Sequence, residues 1–424
     1  MIRYFWGRLL AAFTVLVALV VALLADAPPA AVPPGPPGDR WTATWSTSMV
    51  AATPDIFGMP NWSGEFSDQS LRQPVRAGRG GSTVRIRISN VFGTGPLRLT
   101  GASIGRAAAG AAVRPGTQQT LSFGGHRSTT VPAGRELASD PVPLTVAALE
   151  RLTVTLYFAA PTGPASFHPS AIATSYRSAG NHLADPAAQA FGETSQSWYY
   201  LSGLDVTGAA PPGDRGTVVA FGDSITEGFG STPDADNRYP DELAERLVAA
   251  GRGLGVVNAG ISGNRVLTDA DGTGDRATAR FQRDALGQPG VRSVIVLAGV
   301  NDLGIGVGTS GRPPTPAQLI GGHRALIAAA HAHGVRVLGA TILPFKGTTD
   351  PPGYYTDRGE QVRDAVNNWI RTGGEYDAVV DLDHALADPA DPDRLRAGYD
   401  SGDGLHPNDA GMRAIANTID LNRL

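Results

Sequence analysis

Hydrophobic and polar residues follow two different periods along this chain. Between Trp41 and about Val206 the period is two: Val84, Ile86 and Ile88 alternate with Arg85, Arg87 and Ser89, and Leu152, Val154, Leu156 and Phe158 alternate with Thr153, Thr155 and Tyr157. Successive side chains of a strand point to opposite faces, so this alternation predicts half-buried strands; the Gly, Pro, Ser and Asn between them predict turns. No amphipathic helix stands out there. An all-β sandwich of jelly-roll type over 41–207 is the packing such strands call for.

Past a loop rich in Gly and Pro at 208–216 the pattern changes. Short apolar runs at 217–221, 256–258, 293–298, 335–342 and 378–382 are separated by stretches of helical period, including 241–250, 315–333, 357–372 and 409–421. Unbroken apolar runs are strands buried on both faces, and strands alternating with helices build a parallel, doubly wound α/β sheet. A second domain is thus expected over 214–424.

The N-terminus reads differently again. Arg3 and Arg8 precede an uncharged apolar run at 9–25, and prolines crowd 28–37. This predicts a signal peptide or membrane anchor at 1–27, a Pro-rich linker at 28–40, and a protein that is secreted or held at the outer face of the cell membrane. Ala25-Asp26-Ala27 offers small residues for cleavage while Pro28 opposes cutting there, so both outcomes stay open.

Composition then narrows the chemistry. The chain has no cysteine, which removes thiol nucleophiles, disulfides and Cys-ligated metals together. A net charge of −4 without a basic tract gives no electrostatic basis for a nucleic-acid or anionic-lipid partner.

In open parallel sheets the active site forms beyond the carboxyl ends of the strands. Four polar clusters fall at or near such ends: Gly222-Asp223-Ser224-Ile225-Thr226, Ala259-Gly260-Ile261-Ser262-Gly263-Asn264, Ala298-Gly299-Val300-Asn301-Asp302, and Asp403-Gly404-Leu405-His406-Pro407. Singly, each has an ordinary reading: Ser224 as a helix cap, Gly263 as a tight turn, Asn301-Asp302 as turn residues, His406 as a structural histidine. Jointly they hold every part acyl transfer needs. A serine hydroxyl becomes a nucleophile when a base takes its proton, and imidazole suits neutral pH, which makes His406 the base for Ser224. Asp403 can bond the far ring nitrogen and stabilise the imidazolium. The backbone N–H groups of Ser224 and Gly263 and the Asn301 amide can donate to the oxyanion. Asp223 and Asp302 read as caps or loop braces.

In this order and spacing the four clusters resemble the GDS, glycine, G-x-N-D and D-x-x-H-P blocks of the SGNH (GDSL-like) hydrolase superfamily, over Thr217 to Leu424. The resemblance implies a three-layer α/β/α fold of flavodoxin-like type with a five-stranded parallel sheet. It implies Ser224, Asp403 and His406 as the catalytic triad, with Ser224, Gly263 and Asn301 as oxyanion donors. It implies a serine esterase that needs neither cofactor nor metal. The front half, through Trp41, Trp45-Ser46, Leu71-Arg72-Gln73 and Arg87-Ile88-Ser89-Asn90, is similar to the β-rich domain preceding such domains in some exported bacterial members. The nucleophile box ends Ile225-Thr226 where many relatives have Leu-Ser, a conservative difference.

Three rival readings bear on these residues. An α/β-hydrolase needs Gly-x-Ser-x-Gly, which the chain lacks. A metallophosphoesterase could recruit Asp223, Asn301, Asp302, His384 and His406, but no histidine lies between 217 and 237 near the first strand. A carbohydrate-binding protein could stack sugars on Trp45, Trp62, Trp198 and Tyr199, for which packing is the competing reading. The expected substrate is a small-molecule or polymeric ester, with short acyl groups on carbohydrate as the favoured class and lipid esters as the alternative. The pocket walls fall to loops 226–240, 266–280, 303–316 and 344–357, with Phe345, Tyr354 and Tyr355 as candidate lining for a sugar ring or small acyl group. The role of the β-rich half, the oligomeric state and the cleavage site are not fixed by sequence.

Overall fold

The computed structural model describes residues 41–54, 61–62, 64–208, 216–306 and 311–424. The leader and linker expected at 1–40 lie outside the described residues, as do 209–215 between the two patterns and 307–310 in the third candidate loop.

The period-two stretch forms two large antiparallel sheets and two two-stranded ones, and no helix occurs among its described residues. One sheet orders Thr42–Ser46, Leu201–Thr207, Gly81–Asn90 and Arg135–Ala138, with Val142–Val146 also paired to Gly81–Asn90. The other orders Glu193–Ser195, Ser175–Ala179, Gln69–Arg76, Arg151–Phe158, Gly101–Arg106 and Gln119–Leu121. Val84, Ile86 and Ile88 of the first sheet meet Leu152, Val154 and Leu156 of the second in one core, which makes the lobe a sandwich.

The expectation of half-buried strands needs correcting for Arg151–Phe158, because Thr153 and Thr155 on its other face are buried too. Thr155 stands in register with Arg72 on one side and Ser103 on the other. The Arg72 guanidinium donates to the carbonyls of Ala111 and Ala187, and Ser103 Oγ donates to that of Leu183. Those main-chain segments therefore roof the outer face, a long-range cover that alternation along one strand cannot announce.

The second lobe is a parallel sheet of five strands: β1 (Thr217–Gly222), β2 (Gly255–Gly260), β3 (Val291–Leu297), β4 (Arg336–Ala340) and β5 (Ala378–Val380), in the order β2-β1-β3-β4-β5. That order reverses direction at β1, and the crevice at such a switch point is where ligands bind. Eight helices are described: α1 (Ser224–Glu227), α2 (Tyr239–Ala249), α3 (Ala277–Phe281), α4 (Val300–Gly304), α5 (Pro316–Ala332), α6 (Asp357–Thr372), α7 (Leu382–Leu386) and α8 (Asp409–Thr418). Helix α5 starts on a capping box between Thr315 and Gln318. Helix α3, which runs into a π-type turn at Gln282–Leu286, occupies the end of what the sequence offered as the 266–280 loop.

The two lobes share side chains. Ala43 of the sandwich lies in the core of the parallel sheet, and Ile261, from the turn after β2, lies in the core of the sandwich. Burying an isoleucine completely stabilises by about 1.5–3 kcal/mol, so Ile261 alone is a substantial tie. Backbone joins them too: Ala43 N donates to Pro289 O at 3.0 Å and to Thr217 Oγ1 at 3.1 Å.

Candidate active site

Three strand ends and the segment before α8 bring the predicted residues together. After β1, Asp223 caps α1, its Oδ1 accepting from Ile225 N at 3.1 Å. The next residue, Ser224, sits at the first position of the helix, almost fully buried. Its Oγ lies 2.9 Å from His406 Nε2, and His406 Nδ1 lies 2.6 Å from Asp403 Oδ2. The second Asp403 oxygen accepts from the backbone N–H groups of Leu405 and His406 at 2.9 and 2.8 Å. Partial burial raises the Asp403 carboxyl pKa, but the His406 hydrogen bond and charge, with those two N–H donors, outweigh it and bring it down to about 2. Asp403 is thus an anion throughout the neutral range, facing one imidazole nitrogen while the serine faces the other.

The His406 ring is held in place by its neighbours. Phe229 packs against it at 4.6 Å between ring centroids. Gly230, at φ +91°, lets the loop after α1 pass close to His406 and Pro407; a side chain there would strike the Pro407 carbonyl. Asp409 then ties the same loop down, accepting from Thr232 N, Thr232 Oγ1 and Asn237 Nδ2.

Gly263 and Asn301 follow β2 and β3, the two strands that pair with β1. Gly263 has φ +72°, a backbone conformation that disfavours any side chain. Asn301 Nδ2 donates one hydrogen to Asn264 O at 3.1 Å, leaving its second, and its Oδ1 accepts from Tyr354 Oη at 2.9 Å. Asp302 braces the glycine turn from behind, accepting from Val266 N at 2.7 Å and Leu267 N at 3.1 Å. Burial pushes Asp302 up to about 6 against those two donors, and pushes Asp223 up to about 7, with the Asp302 charge adding to the rise.

Several residues that matter here carry no clear sequence signal. Arg280, fully buried, donates to Gly222 O at 2.7 Å, to Ala259 O at 2.8 Å and to Asn264 Oδ1 at 2.9 Å, pairs with Asp284, and lies over the Phe221 ring. Burial lowers its pKa to about 10, with Asp284 opposing the fall, and it stays charged. One guanidinium therefore clamps the ends of β1 and β2 and the glycine turn. Glu227 at the end of α1, within the stretch 226–240 expected as a pocket-wall loop, is likewise buried.

Phe345 and Tyr354 do not line a pocket. Both are buried in the core of the lobe, and Tyr354 spends its hydroxyl on Asn301; of the three candidate aromatics Tyr355 alone is partly exposed. Trp45, Trp198 and Tyr199 pack inside the sandwich, and Trp62 stacks on Tyr199. His384 pairs with Asp381, while Asp381 and Asp383 are engaged by Arg371 and Arg363. Among the described residues no three His, Asp or Glu side chains are grouped to hold a metal ion.

Residues 220–414 match the GDSL-like Lipase/Acylhydrolase family. No curated protein matches the chain. Among solved structures, a lipase/acylhydrolase from Enterococcus faecalis is similar at 20% identity and TM-score 0.38, covering 48% of this chain and 93% of that one. A GDSL-like lipase from Bacteroides thetaiotaomicron is similar at 19% and 0.38, covering 51% and 91%. An aryl esterase from M. smegmatis is similar at 18% and 0.38, covering 48% and 95%.

Proposed function

Since residues 220–414 form a GDSL-like lipase/acylhydrolase domain and the chain is a carboxylic ester hydrolase of the SGNH superfamily, we propose that it works through Ser224, His406 and Asp403 and prefers short acyl groups carried on carbohydrate. The observation that carries the catalytic assignment is the unbroken chain from Ser224 Oγ to His406 Nε2 at 2.9 Å and from His406 Nδ1 to Asp403 Oδ2 at 2.6 Å.

The steps follow from that chain. Ser224 Oγ attacks the ester carbonyl carbon as His406 Nε2 takes its proton, and the Asp403 anion stabilises the imidazolium. Charge on the former carbonyl oxygen meets the N–H groups of Ser224 and Gly263 and the remaining Asn301 Nδ2 hydrogen. His406 returns its proton to the departing alkoxide, releasing the alcohol and leaving an acyl-serine. A water, deprotonated by the same histidine, then releases the acid and restores Ser224. No step asks for a metal or cofactor.

The acyl preference is supported by the surface. Long-chain substrates need a broad apolar surface, often beneath a mobile lid. Among the described residues the large apolar side chains with substantial exposure are Ile305 and Val379. The 231–237 loop is polar and pinned, with Asp234 accepting from Thr174, and Asp236 facing Arg151 and Arg238. The apolar run at 9–25 supports an exported or outer-face location.

A p-nitrophenyl ester series tests the acyl half. kcat/KM should peak between two and about four carbons; a steady rise to eight or more overturns it. Acetate released from acetylated polysaccharide, against fatty acid released from lysophospholipid, decides between the carbohydrate and lipid readings.

A further inference from the structure

Among the contacts of the sandwich lobe near the site is a histidine. His168, buried, places Nδ1 2.8 Å from Ser48 O and Nε2 3.0 Å from Glu227 Oε1, with Ser170 O at 3.2 Å. Each ring nitrogen thus faces an acceptor: Nδ1 the Ser48 carbonyl, and Nε2 the Ser170 carbonyl, with the Glu227 carboxylate in close contact beside it. Trp198 stacks on the ring from within the sandwich. Glu227 is buried as well; its Oε1 lies against His168 Nε2 without a hydrogen bond of its own, since Nε2 is aligned with Ser170 O, and its Oε2 accepts from Ser262 Oγ. Ser262 immediately precedes Gly263, and Glu227 lies three residues after Ser224.

The surroundings leave little slack. Gly260 has no room for a side chain against Glu227 N and Asp223 O, so the turn after β2 rests directly on α1. Asn258 Nδ2 donates to Thr226 O at 2.8 Å, joining the same two segments. Ile261, between Gly260 and Ser262, is anchored in the sandwich core. The glycine turn is therefore gripped at Ile261 by apolar packing and at Ser262 by a carboxylate that rests against His168.

We propose that the sandwich lobe completes the oxyanion site, with His168 as a positioning residue that acts through Glu227 and Ser262 to fix the N–H of Gly263. The proposal rests on the reading of Gly263 as an oxyanion donor. His168 itself touches no reacting atom. Its effect falls on the transition state, where the N–H must point at developing charge, and hardly on ground-state binding.

The test uses the full chain, with p-nitrophenyl acetate as substrate and a trifluoromethyl ketone as tetrahedral analogue. Losing an oxyanion donor costs about 10²–10³ in kcat, and a displaced one should cost less. His168→Leu and Ser262→Ala should each lower kcat about 10- to 100-fold, keep KM within about threefold, and weaken the ketone by the same factor as kcat. His168→Gln, which keeps a donor for Glu227, should recover part of the loss. The double variant should be no more than about threefold worse than the poorer single, because both act on one path. Folded single variants with kcat within about twofold of the parent, or a double variant whose losses multiply, would overturn the proposal. Should His168→Leu not fold, Ser262→Ala, which removes only a hydroxyl, decides on the same thresholds. Asn301→Ala separates the two levels: if it leaves ketone affinity unchanged, the oxyanion reading itself fails, whatever His168 does.

Discussion

The two sides of the site are held in opposite ways. Asp403 and His406 are three residues apart on one partly exposed segment, and their contacts are mostly local, down to the two N–H groups that Asp403 accepts from its own turn. Ser224, Gly263 and Asn301 come from three strand ends and are braced by buried groups far away in sequence, with Arg280, Asp302, Glu227 and His168 among them. The carboxylates record the difference. Asp403, rich in donors, sits at about 2, whereas Asp223, buried next to Ser224, sits at about 7. The Asp403–His406 side keeps a charge, and the Ser224 side gives up solvation for rigidity.

The largest expected effect lies on the rigid side. Ser224→Ala should cut kcat by roughly 10⁴–10⁶ while the melting temperature stays near that of the parent, since only a hydroxyl is lost. A serine-directed phosphonate should label Ser224 alone; undiminished turnover, or labelling elsewhere, would break the assignment.

Asp403→Asn probes the local side and should cost about 10²–10⁴ in kcat by favouring the wrong imidazole tautomer. Because Asp403 is bonded within its own turn and partly solvated, thermal stability near neutral pH should move little. His384→Ala is the contrasting variant, with kcat within about twofold of the parent. Essential His384 with dispensable His406 would reverse the two roles.

The smallest effect is one of stability against pH. Asp223 has a folded pKa of about 7, above the unfolded value near 3.9, so its contribution is complete below about pH 4 and is lost as pH rises through 7. Asp223→Asn keeps an oxygen for Ile225 N and cannot ionise. Its melting temperature relative to the parent should therefore climb by a few degrees between pH 5 and pH 8. A difference that stays flat over that range would show that Asp223 is not the carboxylate paying for burial.

What could be read from sequence follows the same division. The five strands of the parallel sheet and its long helices were legible because apolar runs and caps such as Thr315 with Gln318 are local signals. Asp403 and His406 were legible as a pair for the same reason. Arg280 was not, because nothing in Ala277-Thr278-Ala279-Arg280-Phe281 separates a solvated arginine from one buried under two strand ends. Tyr354 was read as a pocket aromatic, since its bond to Asn301 depends on a loop meeting a helix more than fifty residues away. Thr153 and Thr155 were read as exposed because the cover over them comes from chain segments that carry no periodic pattern.

The exchange of Ala43 and Ile261 between the two cores bears on how such a protein can be inherited. A module joined to its neighbour by a linker alone can be shuffled into a new gene and keep working. Here a hydrolase half moved by itself would carry an isoleucine with no cavity to receive it, beside its own glycine turn, and a foreign sandwich would have to supply that cavity in register. Recombination within this pair is therefore penalised at the glycine turn itself, and the two lobes should descend together as one heritable unit, diversifying instead through the loops that rim the crevice.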